Sequence, residues 1–199
     1  EYEAHLVSEP NNPRLLRSLA ELYTQKKQFD RALVYYERIK ATEQGADAAL
    51  DRAVAETTVR QFEHQAEQLD VAAPDYAERS LQLNADKLAF QVAECQKRVA
   101  NYPTDMAIRY EMGVLYFQTG KIGEAIQEFQ KAQGNPHKRL AAMNYLAQCF
   151  AKRKMFDLAA KTLQNAIREK LVFDDEKKEL IYNLAAVLEN MNNKPGAFE

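Results

Sequence analysis

No run of about 18 apolar residues occurs in the chain, so no stretch of it reads as a membrane-spanning helix. Cysteine is scarce: Cys95 and Cys149 are the only two, far apart and in helical surroundings. Two free thiols filling apolar space is the reading favoured over a disulfide. Two cysteines are tolerated in either redox environment, which leaves the compartment open between cytoplasm and periplasm. The three histidines, His5, His64 and His137, lie 59 and 73 residues apart, so neither a His–x3–His nor an HExxH pair exists. The paired Glu-x-x-His motifs of a di-iron bundle are absent as well. Only three serines occur, Ser8, Ser18 and Ser80, none in a nucleophile elbow. No glycine-rich phosphate loop is present; the glycines of "GKIGE", residues 120–124, belong to a helix–turn–helix. Lys and Arg total 27 against 29 Asp and Glu, a net charge of −2 with no tail of one sign, and nucleic acid is therefore not an expected partner. "FDDEKKE", residues 173–179, invites a metal-ligand reading, but Asp174, Asp175 and Glu176 are better placed to cap and charge-complement a following helix. No catalytic residue, metal site or cofactor site is expected.

What the chain does have is length, apolar content and a period. With 199 residues, 46% apolar and 28% charged, it can bury a sizeable core. In the stretch "MGVLYFQTGKIGEAIQEFQKAQ", residues 112–133, a small residue is followed three later by a large one and twelve later by alanine. The same spacing joins Ala20, Tyr23 and Ala32; Gly113, Tyr116 and Ala125; Ala147, Phe150 and Ala159; Ala185, Leu188 and Ala197. Leu19, Met112, Leu146 and Leu184 precede the small residues. Such intervals suit two short antiparallel helices that approach closely at the small residues and fill the remaining gap with the large one. Gly120 stands where the chain must reverse, a position suited to positive φ; Lys27, Lys154 and Asn192 occupy that slot elsewhere. All six prolines fall near repeat ends or helix starts.

The pattern resembles the tetratricopeptide repeat (TPR), carried by "LAELYTQKKQFDRALVYY", "MGVLYFQTGKIGEAIQEF", "LAQCFAKRKMFDLAAKTL" and the incomplete "LAAVLENMNNKPGAFE". Gly113 and Ala147 are 34 residues apart, the period of that family. The resemblance implies an all-α fold, a right-handed solenoid of antiparallel helix pairs, and suggests a bacterial member. Three residues before each contact leucine or methionine, where the family often places an aromatic, stand Leu16, Arg109, Met143 and Ile181. Arg109 cannot act there as a simple core residue.

Ala20 and Gly113 lie 93 residues apart, 25 more than two such periods. The surplus reads as two long helices, about 46–70 and 75–101, forming a hairpin about 35 Å long. A stripe of Leu81, Ala85, Leu88, Val92, Cys95 and Val99 is expected to zip its arms together. The tip residues Phe62, Leu69, Val71 and Tyr76 are the alternative contact surface for another subunit or partner. The resulting organisation is a single solenoid: 1–12 the end of a preceding repeat, 13–45 a repeat, 46–105 the extended hairpin, 106–139 and 140–175 further repeats, and 176–199 a partial one.

The resemblance also implies a concave face lined by the first helix of each repeat. Its positions carry over to Arg17, Glu21 and Gln25, then Tyr110, Val114 and Phe117, then Asn144, Gln148 and Lys152, then Tyr182, Ala186 and Glu189. Rings beside amides suit an extended peptide or a helix. A carboxylate clamp for peptide C-termini is not reproduced, because Glu21 stands where an Asn would be needed. The expected function is a non-enzymatic protein-interaction scaffold, with a protein or peptide segment as partner. The alternative is an assembly protein that self-associates or docks through the long hairpin. The chain starts without Met and lacks a signal-peptide pattern, and solenoids need polar end caps. Flanking repeats, a signal or a membrane anchor are thus expected outside the stretch Glu1–Glu199.

Overall fold

A computed structural model of the protein describes residues 8–42 and 48–192. His5, Ala46, Pro195 and Ala197, to which the sequence assigns roles, lie outside the described residues. Every regular element among those described is helical: α1 Pro13–Gln25, α2 Phe29–Lys40, α3 Ala48–Glu67, α4 Tyr76–Asn101, α5 Met106–Gln118, α6 Ile122–Ala132, α7 Arg139–Lys152, α8 Phe156–Glu169 and α9 Asp175–Asn192. The chain divides into two compact units, Glu1–Glu94 and Cys95–Glu199.

In the first unit, α1 opens on Asn12, whose side chain accepts from the N–H groups of Arg14 (3.0 Å) and Leu15 (3.4 Å), with Pro13 inside the first turn. These are the donors a helix start leaves free, and proline there sacrifices no bond. Leu16, Leu19, Ala20 and Tyr23 recur at helical spacing and are all buried. They meet Ala32, Tyr36 and Ile39 of α2, and Leu50 of α3 joins the same core. Polar ties hold α3 to the first pair: Gln61 donates to Asp30 (2.7 Å), and Lys27 meets Glu67 (3.1 Å).

The arms α3 and α4 face each other through Phe62 and Phe90, ring centroids 6.1 Å apart, and through Lys87 and Glu63 at 3.6 Å. The expected zipper is thereby corrected. Leu81 is 74% exposed and Ala85 is exposed, so the first part of that stripe faces solvent. The physical reason is rotation about the helix: Leu83, Lys87 and Phe90, at steps of four and three, form a neighbouring face, and that one meets α3.

The second unit repeats one reversal between its helix pairs. The N–H of Lys121 donates to Tyr116 (2.8 Å) and that of Met155 to Phe150 (2.9 Å), while Gly120 and Lys154 stand at φ of 75° and 60°. Lys27 in the first unit has φ of 57°, with Gln28 donating to Tyr23 (2.9 Å). This is the left-handed cap that closes a helix on its own last carbonyls. Gly113 is needed for a different reason: a Cβ there would stand 2.8 Å from the ring of Phe129. Asp105 caps α5 through the N–H groups of Ala107 (2.8 Å) and Ile108 (3.2 Å), and Asp174 caps α9 through that of Lys177 (3.1 Å).

Three positions flagged by the sequence find their places in this unit. Arg109 is mostly buried, bonded through Nη1 to Glu128 (3.0 Å) and through Nη2 to the carbonyl of Pro103 (3.1 Å), and Lys131 supports the same glutamate. Cys95 and Cys149 are free, buried thiols. Burial pushes each up to about 11, despite the opposing pull of Arg98 on the first and Lys152 on the second.

Between α8 and α9 the chain bends at Leu171, Val172 and Phe173, all exposed, Leu171 at 89%. The bend is fastened by Lys170, whose amine meets Asp174 and Glu176, and by Lys177, which donates to the carbonyl of Lys170 (2.7 Å).

Candidate peptide-binding face

In the second unit α7 lies beside both α5 and α9, so the first helices of successive pairs form one continuous face. Tyr145 of α7 is its centre. Its ring stacks on Phe129 (5.1 Å, 9° between planes) and receives the edges of Phe117 (5.4 Å) and Tyr110 (6.1 Å). Tyr110 also meets Phe129 at 5.9 Å. Offset and edge-to-face contacts of this kind are favoured by the ring quadrupole and fix the rings against one another. The amine of Lys152 lies 4.1 Å from the Phe117 centroid and that of Lys138 lies 5.3 Å from Tyr110. Burial pushes the pKa of the Tyr110 phenol above its ordinary value, with Tyr145, Glu179 and Glu176 adding to the rise. The rings of Tyr110 and Phe117 are therefore half-buried parts of a rigid floor, not free side chains.

Asn144 has a different place from the one its spacing suggests. It is only 7% exposed, and both ends of its amide are committed: Nδ2 donates to Glu179 (2.8 Å), and Oδ1 accepts from Nδ2 of Asn183 (2.8 Å). A buried amide needs such partners, and here they tie α7 to α9. Its neighbours are less buried. Gln148 is half-buried, Lys152 is exposed, and Tyr182 is 73% exposed. The second unit thus brings Tyr110, Phe117, Asn144, Gln148, Lys152 and Tyr182 onto one set of adjoining helices. Spacing alone missed Tyr145, Glu179 and Asn183; the available signal was the amide at Asn144 with a carboxylate 35 residues on.

Arg17, half-buried, and Glu21, exposed, stand on α1 in the first unit. The hairpin positions also lie in the first unit and are scattered in character: Phe62 packs on Phe90, Leu69 and Tyr76 are half-buried, and Val71 is 74% exposed. Among the described residues no group of His, Cys, Asp and Glu is placed to hold a metal ion. None of the described helices is long and apolar enough to cross a membrane.

The tetratricopeptide-repeat profile matches residues 110–170, the span that holds the aromatic floor. No curated protein matches the chain in sequence. Among solved structures, one of MamA has a TM-score of 0.55 and 15% identity, covering 84% of this chain and 78% of its own. YrrB, described as a TPR protein with an unusual peptide-binding site, has a TM-score of 0.51 and 15% identity, covering 93% of this chain and 96% of its own. At such identities the likeness is one of fold. TPR proteins are typically non-enzymatic scaffolds that bind other proteins or peptides. The matched profile and the shared reversal of the helix pairs identify residues 110–170 as tetratricopeptide repeat, on a chain whose fold is similar to that of solved tetratricopeptide-repeat proteins.

Proposed function

We propose that the chain is a non-catalytic scaffold that holds an extended peptide or a helix against the α5–α7–α9 face of its second unit. One observation carries the reading: a locked floor of Tyr110, Phe117 and Tyr145 rings on α5 and α7, with Lys152 over Phe117, Gln148 on the same helix α7, and an open Tyr182 ring on the adjoining α9. Rings already fixed lose little freedom on binding, and amide groups satisfy the polar backbone of a peptide. Arg17 and Glu21 extend the candidate set on the first unit. The experiment is selection of displayed random peptides on the wild-type protein, followed by binding to a Gln148→Ala/Tyr182→Ala variant. Those two side chains are chosen over Asn144, whose loss would loosen α7 from α9. Loss of the selected peptides with helicity unchanged is the expected result; equal binding by the variant refutes the site.

A second reading has its own observation. Val71 and Leu81, near the tip of the α3–α4 hairpin, are each 74% exposed. Apolar residues left open at one end of a hairpin suit docking on another subunit or self-association. Multi-angle light scattering of wild type and of Val71→Asp/Leu81→Asp should then differ in mass. Identical masses at high concentration would remove self-association, and an unchanged set of partners would remove docking.

A further inference from the structure

Glu179 stands out on the α9 side of that face because its direction is fixed from below. Asn144 donates to one carboxylate oxygen at 2.8 Å, and Asn183 holds the Asn144 amide in the orientation that permits it. Asn144 is buried while Glu179 is exposed, so the bond anchors one carboxylate oxygen from below and leaves the group open to solvent above. Among the described residues no side chain donates to the other oxygen. Tyr182, three residues on, shares the helix face with Glu179 and keeps its ring open. The cations nearby are otherwise engaged. Lys138 sits over Tyr110, and Lys170 is held by Asp174 and Glu176.

We infer that Glu179 and Tyr182 form a subsite for an arginine side chain of the bound peptide, the carboxylate pairing with the guanidinium and the ring stacking on it. The inference rests on the reading of the α5–α7–α9 face as the peptide site and names the chemistry it selects. Arginine fits better than lysine, because a planar guanidinium can pair with a fixed carboxylate and lie flat on a tyrosine ring together. A peptide carboxylate is disfavoured, since it would meet Glu179 with Glu176 on the same helix.

The test is a titration of the 15N-labelled protein with N-acetyl-arginine methylamide, read at the side-chain amide signals of Asn144 and Asn183. N-acetyl-citrulline methylamide, equal in shape but uncharged, is the control, and the lysine analogue is the third probe. Saturable shifts with the arginine compound, weaker ones with lysine and none with citrulline are expected. Glu179→Gln keeps an acceptor for Asn144 and removes the charge; it should weaken arginine binding about tenfold or more. Tyr182→Ala should weaken it severalfold. Equal shifts with citrulline, no shift with arginine, or a Glu179→Gln variant that binds as wild type would each overturn the subsite. Selected peptides that lose binding in Gln148→Ala/Tyr182→Ala but lack arginine would defeat the subsite and leave the peptide face standing. Failure to select any peptide would count against the face itself, while the arginine titration still decides the subsite.

Discussion

Replacing Lys154 by glycine should stabilise the protein. Lys154 has φ of 60°, and the matching residue one repeat earlier is Gly120 at 75°. An L-residue held there costs about 1–2 kcal/mol relative to its right-handed alternatives. Glycine avoids that cost but gives the unfolded chain more freedom, worth about 0.5–1 kcal/mol in the opposite sense. The balance is a gain of roughly 0.5–1 kcal/mol, or a midpoint rise of about 1–4 °C for a chain of this size. Gly120→Ala should lose a comparable amount, and for conformational reasons alone, since a Cβ there meets nothing within 4 Å. Lys27→Gly should come out near neutral, because it also removes the exposed pair with Glu67 at 3.1 Å, itself worth about 0–1 kcal/mol. Thermal unfolding by circular dichroism measures the sign of each change. Native-state hydrogen exchange at the amides of Met155, Lys121 and Gln28 locates it, since these close the three caps. If Lys154→Gly and Gly120→Ala shift stability in the same direction, the account of the reversal is wrong.

Gly113→Ala should cost about 1–3 kcal/mol, visible in the urea midpoint, because the Phe129 ring 2.8 Å from the new Cβ is itself backed by Tyr145. Glu128→Ala should cost about 2–3 kcal/mol by stranding Arg109, whereas Arg109→Leu/Glu128→Leu should recover most of that loss in the same denaturation assay. Thiols held near 11 are almost wholly protonated at pH 8, so iodoacetamide should label Cys95 and Cys149 only through opening of the fold. Because the folded values lie above the ordinary 9.0, the thiols' contribution to stability is intact below pH 9 and is lost as pH rises towards about 11. Alkaline titration of the unfolding free energy should show that decline, and a Cys95→Ala/Cys149→Ala variant should flatten it.

The repeat was legible in the sequence because close packing at Ala20, Gly113 and Ala147 tolerates only small residues, and that restriction survives as a spacing. The reversal was legible for a similar reason, through one backbone conformation required at Gly120, although Lys27 and Lys154 show that lysine can be held in it. The site was less so. A period says which face a side chain occupies, not what its polar atoms bond to, and Asn144 turned out to spend both ends of its amide inside the protein. Tyr110 and Phe117 were placed on the right helix, but their neighbour Tyr145, which organises them, carries no mark of its own in the repeat. The stripe on α4 failed where helical rotation turned Leu81 outward while Phe90 met Phe62.

The bend Leu171–Val172–Phe173 has a consequence for the newly made chain. Three consecutive apolar residues, two of them (Val172 and Phe173) of high strand propensity, are the sort of segment on which unfolded molecules cohere. Lys170 before them and Asp174, Asp175 and Glu176 after them are gatekeepers that interrupt such a run. The lysine and acids that fasten the bend in the finished protein therefore also shelter it during synthesis, and neutralising them would show first as insoluble product and only later as a looser fold.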